Sequence, residues 1–281
     1  MKKVKINAPA KINLTLDVLG VKDGYHMLKS LVCSINVCDE IVLKARKDKN
    51  INLVCDGIQI DCDPLDNNAH KAARLFMEKY NTNGVDILVT KNIPVGGGLG
   101  GSSADIAGVL NGMQKLYPGE YNLFNLANYL GSDSGYMLNG GFAVIEGRGD
   151  IVKPILVEQK LYFVILTAKN GVSARDSYKN FDKLKTKPQS VTDKAVEHLL
   201  NNEQQEFLSI VKNDLYTSSA KLEPEILSNI YLLKKAGVEC ALMTGSGSAV
   251  FGLFFDKKER DKIYNKLKPI CADAILKAQS I

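Results

Sequence analysis

The sequence contains no tryptophan, and aromatic residues of all kinds make up only 7% of it. A nucleic-acid-binding face calls for a basic stripe interleaved with stacking aromatics. Here the lysines are scattered, with short clusters only at 44–49, 183–187 and 257–258, so the net charge of +5 describes a solvated basic surface. No Cys-x-x-Cys pair occurs among Cys33, Cys38, Cys55, Cys62, Cys240 and Cys271, and no histidine stands near them at zinc-ligand spacing. The thiols are read as small buried hydrophobes of a reduced, cytosolic protein. No apolar run approaches the length of a membrane-spanning helix. Met1, Lys2 and Lys3 begin like an export signal, but Lys5, Asn7, Pro9 and Lys11 interrupt the chain before an apolar core of useful length forms. Internal repeats and low-complexity segments are also missing.

What is present is a run of glycines. Pro94, Val95, Gly96, Gly97, Gly98, Leu99, Gly100, Gly101, Ser102, Ser103 and Ala104 join a strand-like Val85–Thr90 to a segment in which Ile106, Val109, Leu110, Met113, Leu116 and Tyr117 recur at helical spacing. Pro118 and Gly119 stop that helix. Backbone amides at a helix N-terminus have no intrahelical partner and sit at the positive end of the macrodipole, and glycines hold no Cβ between amide and ligand. The loop is therefore read as a cradle for a phosphate chain. Ser102 and Ser103 offer hydroxyls for helix capping, for phosphate or for a phosphate-bound metal ion. No Gly-Lys-Ser/Thr follows the glycines and no acidic ribose ligand stands at the dinucleotide offset, so the loop is neither a Walker A motif nor a Rossmann fingerprint. A cation for the phosphates must come from elsewhere in the chain.

Length and a 45% apolar content suit two modest cores. The first part of the chain reads as strands at 4–8, 12–19, 30–37 and 40–45, with a turn at Lys22 to Gly24, followed by helices at 67–81 and 123–130 and a strand at 140–145. From Leu161 the pattern becomes strand, polar segment, helices, strand, tight turn, strand, helix. The Lys/Pro-rich stretch at 183–190 is a loop, and Thr244 to Ser248 form a second glycine turn. This second part is expected to be a split βαβ domain.

Three separated segments, Pro9 to Leu14, the glycine loop, and Met243 to Ser248, together resemble the three motifs of the galactokinase, homoserine kinase, mevalonate kinase and phosphomevalonate kinase superfamily. The segment Ala8 to Leu16 followed by Asp23 to Met27 is similar to the members that act on a cytidine diphosphate-linked methylerythritol. The resemblance runs nearly end to end and includes Gly131 to Asp133, Gly140-Gly141, Gly147 to Gly149, Gly171 to Ser173 and Asn213-Asp214. It implies an α+β, two-domain small-molecule kinase. A ribosomal-protein-S5-like, ATP-binding domain would span 1–155 and a ferredoxin-like split βαβ domain 156–281, with the active site in the cleft between them. It further implies ATP-dependent phosphorylation of the 2-hydroxyl of that substrate, a step of the non-mevalonate route to isoprenoid precursors, with no nucleic-acid or membrane partner.

By the same resemblance, Asp133 is the base that accepts the hydroxyl proton, and Lys11 is the cation that keeps it ionised and meets charge on the transferred group. Residues 94–104 bind ATP phosphates. Asn13, Tyr25, His26, Gly245, Ser246 and Gly247 face the substrate, with Tyr25 and His26 stacking on or hydrogen-bonding to the pyrimidine. Magnesium is expected from the ATP chemistry, without an identifiable acidic ligand. The chain departs from the family pattern after Asp133, where Ser134-Gly135-Tyr136 replaces Val-Pro-aromatic and is expected to loosen the backbone around the base. It also carries Ser102 where a third glycine is common and Ala104 where a second serine is common. Other readings are a mevalonate- or homoserine-type kinase, which has no base to read, and a catalytically silent nucleotide sensor on the same fold.

Overall fold

The computed structural model describes residues 2–59, 62–184, 188–272 and 274–281. Part of the expected 183–190 loop, residues 185–187, lies outside the described residues. The chain divides into two compact units, each built from several stretches of sequence. One unit takes the chain up to Ala10, then Val37–Val95 and Gly100–Gly140; the other takes Lys11–Asn36, Gly96–Leu99 and Gly141–Ile281.

The strands and helices run in the order β1 (Lys3–Asn13), β2 (Asp17–Lys22), β3 (Tyr25–Ala45), β4 (Ile51–Gly57), α1 (Asn68–Tyr80), β5 (Val85–Lys91), α2 (Gly101–Leu116), α3 (Leu123–Leu130) and α4 (Ser134–Met137). There follow β6 (Phe142–Gly147), β7 (Ile151–Ile155), β8 (Tyr162–Leu166), α5 (Ala174–Phe181), α6 (Thr192–Leu200), α7 (Gln204–Ile210), α8 (Tyr216–Leu222) and α9 (Glu225–Ala236). The last elements are β9 (Cys240–Met243), β10 (Val250–Phe254), α10 (Lys257–Leu267) and β11 (Ile275–Gln279).

In the first unit the second half of β3 pairs antiparallel with β5, and β5 pairs parallel with β4. Of the residues that the helical spacing marked, helix α2 buries Ile106, Val109, Leu110, Met113 and Leu116, while Tyr117 is half-buried at its C-cap. It also lies very close to β3, for a reason its apolar spacing does not show. A Cβ on Gly108 would stand 2.5 Å from Ile41 Cδ1, and one on Gly112 would stand 2.5 Å from Leu43 Cδ1. Two glycines one helical turn apart thus let the helix backbone settle onto the branched side chains of the strand.

The expected pair of strands at 30–37 and 40–45 is one continuous strand of 21 residues. The polar residues that suggested a break include Asp39, which is fully buried inside the strand. Its Oδ1 accepts the backbone N–H groups of Asn92 (2.6 Å) and Ile93 (2.9 Å), and its Oδ2 accepts Lys91 Nζ. Lys91 also donates to Asp105 Oδ2 at 2.6 Å. This buried triad joins β3, the exit of β5 and the first turns of α2, so it holds both chain ends of the glycine loop that belong to this unit.

The second unit contains the four-stranded antiparallel sheet β11-β8-β10-β9. With helices between β8 and β9 and α10 between β10 and β11, the order is that of a ferredoxin-like split βαβ domain. The final strand, β11, completes it and escaped the sequence reading, because Ile275–Gln279 is short and carries Lys277 and Gln279 among its apolar residues. Val164, Leu166, Val250, Ile226, Leu233 and Ile263 lie in its core cluster. In the same unit the first half of β3 pairs with β2 and β6, and β6 with β7.

All six cysteines are free thiols. Cys33 and Cys240 are buried as expected, and burial pushes the Cys240 thiol up to about 12. Cys55 and Cys62 are exposed, which corrects the reading of all six as core residues; they lie on an edge strand and a polar loop. Among the described residues no helix is long and apolar enough to cross a membrane.

The triad predicts an uneven response to substitution. Burial raises the Asp105 carboxyl to about 7 against the pull of Lys91, while the two carboxylates together hold the Lys91 ammonium above its ordinary value despite burial. Lys91→Met leaves two buried carboxylates face to face and is expected to cost about 3–5 kcal/mol. Asp105→Asn, which replaces a group already easy to protonate, is expected to cost about 1 kcal/mol or less at pH 7. A carboxyl raised in the folded state binds a proton there that the unfolded chain has released, so its contribution to stability falls as pH rises from about 4 to 7. Urea denaturation at pH 5 and pH 7.5 measures this: wild type should lose more stability over that interval than Asp105→Asn, and equal losses contradict the assignment.

Candidate active site

Three segments of the second unit come together through backbone bonds. The glycine-loop carbonyls of Gly96 and Gly97 accept the N–H groups of Ser248 (3.2 Å) and Ala249 (3.1 Å), and Gly96 O also accepts Val172 N at 3.3 Å. Leu99 O accepts Lys11 N at 2.9 Å. Thus Gly96–Leu99, Lys11 on β1 and the Thr244–Ser248 turn form one assembly, as the motif reading anticipated.

Asn13 is the hub of this assembly. Its Oδ1 accepts Lys11 Nζ, its Nδ2 donates to Ser30 Oγ at 2.8 Å, and its backbone N donates to Thr244 Oγ1 at 3.0 Å. Lys11 and Asn13 are both buried. The Thr244–Ser248 turn is held from behind by Asn213, whose Nδ2 donates to Met243 O (2.8 Å) and Gly245 O (2.9 Å). Ser246 O accepts Ser219 Oγ at 2.7 Å. The arrangement presents a buried ammonium at the meeting point of two glycine turns, where a Cβ on Gly245 would stand 3.3 Å from Lys11 Nζ and 2.8 Å from Gly98 O.

Gly98 has φ +74°, and a Cβ there would stand 2.3 Å from the Thr244 carbonyl oxygen. The residue is glycine because the two turns touch backbone to backbone, a packing reason in addition to the phosphate-approach reason drawn from sequence.

The remainder of the loop belongs to the first unit. Gly100, with φ +76°, is the N-cap of α2, and the first helical bond runs from Ala104 N to Gly100 O at 2.9 Å. The amides of Gly101, Ser102 and Ser103 precede that bond, as a helix N-terminus for anions requires. Neither serine caps the helix; Ser102 Oγ instead accepts Asn68 Nδ2 from the start of α1. Val95 is exposed and Pro94 half-buried ahead of the turn.

Asp133 lies in the same unit, half-buried at the N-cap position of α4. Its turn packs beside the start of α2, since a Cβ on Gly131 would stand 2.7 Å from Ser134 Oγ and 3.4 Å from Ser103 Oγ. The Ser134-Gly135 departure does not loosen this segment. Both residues are buried, and a Cβ on Gly135 would meet Asn128 Oδ1 at 2.1 Å and Phe124 at 2.9 Å, so the glycine permits tight packing of α4 on α3.

Tyr25 and His26 are neighbours in a strand and leave it on opposite sides. Tyr25 is exposed, with the Arg148 guanidinium 4.6 Å above its ring. His26 stacks on Tyr178 at 4.6 Å between centroids and pairs through Nε2 with Asp182 Oδ1 at 2.7 Å. Sequence reading missed Asn213, Thr244, Tyr178, Asp182 and the Lys91 triad as supports, because each acts through a partner remote in sequence.

Family patterns match both halves of the chain: the GHMP kinases N terminal domain covers residues 67–146 and the GHMP kinases C terminal covers residues 195–271. The chain belongs to the GHMP kinases, ATP-dependent small-molecule kinases of mixed α+β, two-domain fold. Within that family it is 34% identical over 274 residues to 4-diphosphocytidyl-2-C-methyl-D-erythritol kinases of Bacillus cytotoxicus and Bacillus cereus, covering 96% of this chain and 94% of theirs. A crystal structure of 4-(cytidine 5'-diphospho)-2C-methyl-D-erythritol kinase superposes with a TM-score of 0.84 at 29% identity, over 98% of both chains. Homoserine kinase from Cytophaga hutchinsonii shares the fold, with a TM-score of 0.76 at 20% identity over 100% of this chain and 95% of that one.

The packing of Gly98 yields a test. If only phosphate approach and the positive φ constrained the loop glycine, Gly98→Ala would cost the nucleotide-free protein about 1 kcal/mol. The close approach to Thr244 O adds a backbone displacement and predicts a larger loss of about 2–4 kcal/mol without any ligand, together with a raised KM for ATP. Thermal melting in the absence of nucleotide distinguishes the two.

Proposed function

We propose that the chain transfers the γ-phosphoryl group of ATP to the 2-hydroxyl of 4-diphosphocytidyl-2-C-methyl-D-erythritol, a step of the non-mevalonate route to isoprenoid precursors. The observation that carries this reading is the joining of Lys11, Asn13, Gly96–Leu99 and Thr244–Ser248 by direct hydrogen bonds in a chain that resembles such kinases from end to end. Residues 1–155 would form the ATP-binding domain and 156–281 the ferredoxin-like one.

Phosphoryl transfer asks the protein chiefly for placement and for charge compensation. The glycine loop and the first amides of α2 bind the phosphates. Lys11 meets the charge that develops on the transferred group, and Asn13 fixes the direction of its ammonium. Asp133 accepts the hydroxyl proton. Gly245, Ser246 and Gly247 shape the place of the substrate, while His26 serves its cytosine; the Tyr25 side chain leaves the strand on the other side, so a role for it at the base is not carried by this geometry.

Magnesium would accompany the ATP. Among the described residues no group of three or more His, Cys, Asp or Glu side chains gathers to hold a metal. Ser103, on the first turn of α2 beside the buried Ser134 hydroxyl that has no hydrogen-bond partner, is the residue that would hold it.

Two comparisons test the assignment. Asp133→Asn should lower kcat by about 10² to 10⁴ with ATP affinity little changed, because it keeps the size of the side chain and removes the proton acceptor. Methylerythritol phosphate, which lacks the cytidine, should be a poor substrate, since binding energy of the remote base is needed to place the hydroxyl. Equal use of the truncated alcohol by wild type would favour a broader-specificity GHMP kinase, and no ADP release with either compound would favour the silent sensor.

A further inference from the structure

His26 is held from two sides by one helix. Tyr178, on the last turns of α5, lies against the imidazole with ring planes 24° apart, and Asp182, the residue that caps the end of α5, takes the ring nitrogen Nε2 at 2.7 Å. Helix α5 is itself anchored. Ser173 caps its start, and Ser177 Oγ meets Ser219 Oγ at 2.6 Å, the same hydroxyl that donates to Ser246 O of the second glycine turn. The plane of the imidazole and the partner of one of its nitrogens are therefore set by the packing that shapes the kinase site.

A carboxylate accepts hydrogen bonds and has none to give. In the neutral ring, Asp182 places the single proton on Nε2 and leaves Nδ1 as a lone-pair acceptor. We infer that Asp182 is a positioning residue that makes His26 select a pyrimidine with an exocyclic amine over one with a carbonyl at the same place. Cytosine offers an N–H donor at position 4, where uracil offers only an acceptor that would face another acceptor. The inference rests on the reading that His26 faces the base of the substrate, and it adds which residue sets the hydrogen-bonding sense of that histidine. Tyr178 restrains the tilt of the ring, and Asp182 fixes its tautomer.

The test uses CDP and UDP as probes, with binding measured on wild type, Asp182→Ala and Asp182→Asn, alongside kinetics with the cytidylyl substrate. Asp182 is 54% exposed, so its replacement should leave the melting temperature near that of wild type. Wild type should prefer CDP over UDP by about tenfold or more. Asp182→Ala should bring the ratio close to one and raise the KM of the cytidylyl substrate about tenfold, with kcat at saturation and the KM for ATP unchanged. Asp182→Asn, whose carbonyl oxygen can still accept from Nε2, should restore most of the preference. A CDP preference undiminished in Asp182→Ala overturns the inference while leaving the cytidine reading of His26 intact. Equal weakening of CDP and UDP also overturns it, as that marks a structural role only. A wild-type protein that does not distinguish the two nucleotides overturns the cytidine reading itself, and the inference with it.

Discussion

The site depends on the side chain of Asn13, which turns three pieces of chain remote in sequence into one rigid object. A buried lysine is costly unless its ammonium has fixed acceptors, and Asn13 Oδ1 provides one to Lys11. The same side chain donates to Ser30, and the backbone of Asn13 donates to Thr244. Every polar arm of the residue is thus spent on orientation. The two glycine turns then close on each other backbone to backbone, and the Lys11 ammonium is left beside that contact. The energy of such a network lies less in the net strength of its bonds, each worth about 1 kcal/mol, than in the penalty for leaving any buried member unpaired.

A second buried network supports the loop in the other unit. Asp39, Lys91 and Asp105 tie the strand before the glycines to the helix after them. The two networks differ in kind. The Asn13 hub gives one cation an amide acceptor, whereas the Lys91 triad gathers two carboxyl groups around one ammonium within the core. A loop built mainly of glycine carries few side chains of its own, so its order is imposed by residues on neighbouring elements.

Much of this was legible before any coordinates. The apolar spacing in α2, the glycine run ahead of it and the Thr244–Ser248 turn are local signals, and local signals survive in a single sequence. Buried polar residues were not legible in the same way. Asp39 looked like a break in a strand and is the centre of a network; Gly135 looked like a source of slack and permits close packing. Gly108 and Gly112, which the apolar spacing of the helix does not single out, set its distance from β3. In each case the meaning of the residue is fixed by a partner on another element, which no periodicity reports. The roles proposed for Lys11, Asn13 and the glycine turns come from the family pattern taken together, since each residue alone has an ordinary structural explanation.

The most direct measurement is the turnover of Asn13→Ala in a protein shown by circular dichroism and melting to be folded. With the Asn13 acceptor of Lys11 and the bond to Ser30 removed, the ammonium loses one of its restraints and kcat should fall by about 10². The affinity for ATP should change far less, because the glycine-loop backbone proposed to bind the phosphates is held by its own bonds to Ser248, Ala249 and Lys11. A folded Asn13→Ala protein with wild-type kcat would contradict the account, and would mean that Lys11 finds its working position without the hub.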